Sequence, residues 1–368
     1  MITPRIDIVH PDELTGADLG LWSELRAATV TTANPFMSAQ FSRAVGRTRP
    51  DTRVAVLRHR GTPVGYFPYQ RSPWGHGRAL GLGVSDCQGA VLHPDVLLDP
   101  RQLMRACDLN AWEFNHLEDG QDLFLPYATG QFASPVIDLS EGFAHYENHL
   151  RAHARGFLKS ARAQERRMGR NLGPVRFVYD ERDPAALRTL IAWKSDHYRR
   201  TGRRDPFARP WIAQLVDQLA ATGTPDCSGT LSVLYAADRP VAAHFGLRSR
   251  TVFSCWFPSY DRSLAAYSPG RVLYLRMIEA AAESGIRLFD FGRGEAAYKN
   301  SFKTGDLLVH EGALRTVGVG AAAHWLRREP VRAAHRLLRG HPALKNAAVR
   351  TLKAVGTLRG RKDAERQT

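Results

Sequence analysis

Apolar and polar positions alternate in two hairpin-like stretches that repeat along the chain. RVAVLRH (53–59) reads as a strand, Arg60-Gly61-Thr62 as a turn, and PVGYFPYQ (63–70) as the return. LSVLYA (231–236), Ala237-Asp238-Arg239 and PVAAHFGLRS (240–249) repeat that design. The copies align without gaps. Val56-Leu57, Pro63-Val64-Gly65 and Arg71-Ser72 fall on Val233-Leu234, Pro240-Val241-Ala242 and Arg248-Ser249. Helical segments precede each hairpin, about Leu187 to Tyr198 and Trp211 to Ala221 in the second copy, and a helix and strand follow each. Self-similarity of this kind predicts a duplicated unit.

The second copy continues most clearly. TVFSCWFPSYD (251–261) is an apolar, aromatic strand. Pro269-Gly270 opens the helix RVLYLRMIEAAAES, with Pro early as helix starts prefer, and Gly285 stops it. RLFDFG (287–292) reads as a buried strand, and Arg293-Gly294-Glu295 leads into a short helix holding Tyr298 and Lys299. LLVHEGALRTV (307–317) reads as a last strand. Residues 142–170 predict one long basic helix, and 321–358 one or two basic amphipathic helices. The expected architecture is a mixed α/β sheet in tandem units: 1–141, then 142–318 with 142–170 as a linking helix, then a basic helical tail, 319–368.

The length of 368 residues favours two domains, and 43% apolar with 24% charged residues is a folded composition. The first residues lack an apolar signal segment, and no run reaches the ~18 apolar residues of a membrane span. Cys87, Cys107, Cys227 and Cys255 show no CxxC spacing, which argues against a disulfide framework or cysteine zinc site and fits a reducing cytoplasm. The net charge of +15 is concentrated. Residues 321–362 carry eleven Lys/Arg against Glu329 alone, and 151–170 carry seven against Glu165. Such patches fit nucleic acid, a membrane surface or an anionic substrate, or simply a solvated face.

FDFGRGEAAYKNSFKTG (289–305), following YDRSLAAYSPGRVLYLRMIEAA (260–281), resembles the GNAT-type acetyltransferases of the CelD-like cellulose-biosynthesis family. KSDHYRRTGRRDPFARPW (194–211), PVAAHFGL (240–247), NPFMSAQF (34–41) and GVSDCQGAVL (83–92) are similar to that family too, so the resemblance covers roughly 20–315. The Fem-type ligases, which take an aminoacyl group from tRNA, share the duplicated fold. The resemblance implies acyl transfer, with acyl-CoA or aminoacyl-tRNA as co-substrate and no tightly bound cofactor.

The residues support that chemistry. A donor pyrophosphate needs the free amides of a helix start, which Ser268, Gly270 and Arg271 can offer. The usual GNAT loop, (Q/R)xxGx(G/A), keeps only its central glycine here, with Tyr267 and Val272 at its ends. Lys299 and Lys303 are candidates to hold a donor or acceptor phosphate. Acyl transfer also needs an acid and a base. Tyr298 is the candidate acid by the family pattern; Asp290, Glu295 and His244 are candidate bases. Asp86 is the polar residue that the family places toward a cleft, and Lys194, Trp256 and Tyr260 complete the substrate-binding candidates. Three signals carry little. DFGRG lacks the other kinase loops, GLGVSDCQG lacks a following βαβ unit, and His145, His149 and His153 lack a carboxylate or cysteine motif, so no metal is expected.

The leading expectation is therefore a cytoplasmic acyltransferase acting on an amine or hydroxyl of a sugar or small metabolite. Alternatives are a tRNA-dependent aminoacyl transferase and a non-catalytic binder of nucleic acid or membrane, with the tail as a peripheral membrane contact through Trp325, Leu326, Leu337 and Leu338.

Overall fold

The chain runs β1 (Arg5–Val9), α1 (Gly16–Arg26), α2 (Ala39–Thr48), β2 (Thr52–His59), β3 (Thr62–Arg71), β4 (His76–Ala79), β5 (Val91–Leu92), α3 (Pro100–Ala106), β6 (Ala111–Glu118) and β7 (Ala128–Asp138). After α4 (Gly142–His153) and α5 (Arg155–Leu172) the same order returns. It is β8 (Val175–Val178), α6 (Pro184–Arg200), α7 (Pro210–Ala220), β9 (Ser228–Ala236), β10 (Arg239–Arg248), β11 (Val252–Tyr260), α8 (Pro269–Glu283), β12 (Leu288–Asp290), α9 (Ala297–Phe302) and β13 (Gly305–Arg315). These elements come from a computed structural model that describes residues 2–29, 32–81, 83–294 and 296–316. The expected tail and Glu295 lie outside the described residues. Met1–Leu314 forms one compact unit. No described helix is long and apolar enough to cross a membrane.

All strands join one mixed sheet, ordered β1-β2-β3-β4-β6-β13-β7-β12-β11-β10-β9-β8, with β5 against β3. The order is a near mirror about its centre, as two tandem copies of one unit require. At the centre the copies exchange their last strands: β7 lies beside β12, and β13 beside β6. The repeat is exact in register. Leu57 faces Gly65 and Arg58 faces Pro63, leaving Val64 over; Leu234 faces Ala242 and Tyr235 faces Pro240, leaving Val241 over. Each bulge follows a proline, which has no N–H to give a regular ladder. Each turn opens with a residue of positive φ, Arg60 at 49° and Ala237 at 51°.

Alternation sorts the core. Val54, Val56, Val233 and Tyr235 join one apolar cluster with residues of α1, α2, α6 and α7, so one face of the sheet carries a core common to both copies. Ala55 points to a second cluster with α3, and Leu234 and Ala236 to a third with α4, α5 and α8.

Two boundaries differ from expectation. The basic segment 142–170 is two helices, because Ala154 leaves the helical region (φ −139°, ψ 38°), and α5 then turns its Leu158, Ala161 and Met168 into the core. The strand expected over 287–292 keeps only Leu288–Asp290, since Gly292 at φ 72° turns the chain away.

Candidate active site

Two adjacent parallel strands separate at the centre of the second copy. β11 pairs with β12 only from Val252/Leu288 to Ser254/Asp290, yet continues to Tyr260. On its other side β11 is bulged. Phe245 faces Phe257 and Gly246 faces Cys255, so Trp256 is left over and its N–H leaves the ladder. That N–H donates to His244 Nε2 at 3.3 Å. His244 is fully buried, and burial, with Lys194 nearby, pushes its pKa down to about 3. Its neutral ring thus holds the bulge, with Nδ1 unpartnered. Gly246 is required beneath it, as a Cβ there would lie 2.8 Å from His244 Cε1. The Trp256 indole donates to Val84 O at 2.7 Å, which ties the second copy to the loop bearing Asp86.

The parted strands adjoin a cavity of about 930 Å³ at the start of α8. It brings together six expected residues: Lys194, Tyr260, Ser268, Gly270, Arg271 and Tyr298. Ser268 sits in the left-handed region (φ 48°, ψ 48°) and no side chain caps the helix after it. Pro269 has no N–H and the Arg271 N–H donates to Ser268 O at 3.0 Å, so the Gly270 N–H and the positive end of the helix dipole are what this start offers the cavity. A Cβ on Gly270 would meet only Tyr260 Cδ1, at 3.7 Å, so the glycine leaves open room for a ligand. Arg200, Arg203 and Arg262 add positive charge to the lining, which Asp196, paired with Arg200 at 3.8 Å, and Asp261 answer in part. Lys194 Nζ donates to Pro258 O at 3.0 Å, and burial, with Arg203, pushes its pKa down to about 8. Tyr298 stacks on Tyr274 at 5.5 Å. Burial raises the Tyr298 pKa, while the neighbouring Tyr274 works against the rise.

At the end of β12 lies a group of carboxyls that both copies build. Asp290 Oδ1 accepts from Ser134 Oγ at 2.9 Å and from Gly292 N at 2.8 Å. Asp86, on the loop between β4 and β5, closes against Gly292, where a Cβ would stand 3.0 Å from Asp86 Oδ2. Glycine therefore serves twice at 292, for its positive φ and for this approach. Asp86 Oδ1 lies 3.5 Å from His116 Nε2, and its side chain is 26% exposed, so it looks out of a deep setting. Burial and the neighbouring Asp290 push the Asp86 pKa up to about 7, with Lys299 opposing. Burial raises Asp290 as well, and it raises Glu118 to about 8. Burial, Arg293 and Lys299 press His116 down to about 4.

Lys299 and Lys303, expected at a donor phosphate, are placed elsewhere. Lys299 is buried and donates to Gly292 O at 2.7 Å, so its charge serves the carboxyl group. Lys303 is paired with Asp306 at 2.5 Å and does not line the cavity. Sequence reasoning missed His116, Glu118, Ser134 and Tyr274. Nothing local marks the first three, and Tyr274 reads as one more apolar position of α8. Among the described residues no cluster suited to a metal is found.

Residues 155–300 match the family model described as an acetyltransferase (GNAT) domain. That span runs from α5 into α9 and includes the cavity, Asp290 and Lys299, but not Asp86. A comparison with proteins of curated function gives no significant match. Among solved structures the fold is similar to FemX (TM-score 0.58, 9% identity, 88% of this chain and 100% of that one). It is also similar to a conserved protein of unknown function from Bacteroides thetaiotaomicron (0.54, 14%, 84% and 100%). A third is the C-terminal domain of a putative lysylphosphatidylglycerol synthetase from Agrobacterium fabrum (0.50, 13%, 83% and 95%). The chain has a GNAT-type acyltransferase fold, and its second copy carries the part that the family model describes.

Proposed function

We propose that this protein moves an acyl group from acyl-CoA to an amine or hydroxyl of a sugar or small metabolite, with Asp86 as base and Tyr298 as acid. One observation carries the reading. An uncapped, cation-lined helix start and a carboxyl titrating near neutrality flank the same pair of parting strands. The helix start and Arg271 suit the donor's pyrophosphate. The parted β11 leaves backbone groups free for an extended donor arm. In the reaction the acceptor N or O attacks the thioester carbon, Asp86 takes the acceptor's proton, the C–S bond breaks, and the Tyr298 O–H protonates the departing thiolate. Asp290, Lys299 and His116 act through Asp86. Asp290 keeps its pKa high, Lys299 limits that rise, and His116 stands beside Oδ1. His244 is left to positioning, because its Nε2 lone pair is already engaged by the bulge. The similarity of 260–305 to the CelD-like family supports the same reading.

A second reading, aminoacyl transfer from tRNA, is favoured by one feature: Arg200, Arg203, Arg262 and Arg271 line the cavity together and, with Lys194, outnumber Asp196 and Asp261 there. Mass spectrometry of the purified protein with a panel of acyl-CoAs and charged tRNAs decides between them. Acyl-CoA turnover is expected. Turnover with charged tRNA alone would replace the first reading by the second, and neither would leave a binding role.

A further inference from the structure

We propose that the groove where α4 meets α5 is a separate binding site for a small ligand carrying a diphosphate or a comparable pair of phosphates. The groove has a volume of about 430 Å³ and is lined by Arg151, Arg155, Leu158, Lys159, Arg162 and Arg166. Five of these are cations, and no carboxylate lines it. The four on α5 fall at i, i+4, i+7 and i+11, which is one face of the helix. Glu147 answers only part of this charge, through Arg151 at 2.5 Å and through Arg162. Among the described residues Arg155, Lys159 and Arg166 have no carboxylate partner, and all three are exposed. Like charges one turn apart repel. A bound polyanion removes that repulsion and is attracted by it.

The shape selects among polyanions. An open groove of this volume has room for a small ligand. Leu158, its apolar floor, is buried, and the large exposed apolar side chains (Ile8, Trp74, Leu97, Tyr260 and Leu308) are none of them in it, so nothing here would enter a bilayer. No residue is common to this groove and the donor cavity. The site therefore does not depend on the identity of the acyl donor.

The probe is inorganic pyrophosphate, titrated calorimetrically into the full chain with coenzyme A present in excess. Arg155→Gln/Lys159→Gln should weaken binding roughly ten-fold or more. Arg101→Gln/Arg188→Gln, an equal change of net charge at exposed positions elsewhere, should leave it within about two-fold. Absence of saturable binding, or the same loss in both variants, would overturn the proposal. Parallel arms use a single-stranded RNA oligomer and vesicles containing anionic phospholipid. If either binds through Arg155 and Lys159 while pyrophosphate does not, the small-ligand assignment is wrong. Failure of coenzyme A to bind would count against the donor reading alone, because the difference between the two double variants still reports on the groove.

Discussion

The two copies of the repeat share strand order, hairpin register and bulge, yet they treat one equivalent helix start in opposite ways. In the first copy α3 is capped by its own sequence: Asp99 accepts from Arg101 N at 2.9 Å, with Pro100 at the first position. In the second, Ser268 is turned into the left-handed region and its side chain caps nothing, so the Gly270 N–H of α8 is left without a cap at a cavity. The parallel pairs differ in the same sense. β4 ends at Ala79, one residue past its last pair with β6, whereas β11 runs six residues past Ser254. The first copy has a closed scaffold and the second an open one. What the first copy contributes is carboxyls: Asp86, with His116 and Glu118 behind it, reaches across to Asp290 and Gly292. The two copies share a frame and differ in what they leave open.

The strongest way to break this comparison is Asp86→Asn. If the first copy supplies the base, the catalytic rate should fall by roughly 10²- to 10³-fold while donor binding in the second copy is unchanged. A group that must be ionised to act, with a pKa raised to about 7, gives kcat/KM that rises with pH through that region. Asp86 and Asp290 interact, so the value belongs to the pair. The variant should lose this limb. An unaltered profile would confine catalysis to the second copy.

Gly270→Val tests the open helix start. A side chain there meets no serious protein contact, the nearest atom being Tyr260 Cδ1 at 3.7 Å, so the fold should hold. Donor affinity should fall roughly ten-fold or more, read by calorimetry with acyl-CoA. Unchanged affinity would mean that the donor does not use α8.

Glu118→Gln asks what the acid half costs. Burial lifts the Glu118 pKa from 4.5 to about 8, and its Oε2 has no partner. Between those values the unfolded chain has released a proton that the folded chain keeps. The group's stabilising contribution is thus complete below pH 4.5 and is lost as pH rises through 8. Glutamine removes that dependence. The variant should melt a few degrees above the parent at pH 9, on the order of 2–4 °C, and the difference should shrink toward pH 6.

These elements were not equally legible. Hairpins, the helix 271–284 and the second-copy strands declare themselves through periodicity and through Gly and Pro, because local chemistry fixes them. The start of α8 was legible for the same reason, through Pro269-Gly270. The carboxyl group was only half visible. Asp290 and Asp86 stood out singly, but Glu118 and His116 take their character from burial and from a neighbour about 170 residues away in sequence, which no local pattern carries. The exchange of β7 and β13 was hidden because strand neighbours are set by packing. The helix break at Ala154 was hidden because alanine itself favours the helix.

The smallest effect comes from the closed half, and it tests whether capping is the relevant difference. Asp99→Ala removes the one side chain that caps α3 and frees the Arg101 N–H, the second position of its helix as Gly270 is of α8. Losing such a cap costs about 1 kcal/mol, which for a unit of this size lowers the melting temperature by roughly 2 °C. It should not create a second donor site. α3 spans only seven residues, from Pro100 to Ala106, its dipole is correspondingly weak, and β4 has no extended arm beside it to receive a donor chain. Calorimetry should therefore still count one acyl-CoA per chain, while thermal unfolding records the small loss. A second equivalent of donor in Asp99→Ala would show that the cap alone separates the two copies and that the strand length emphasised here is incidental.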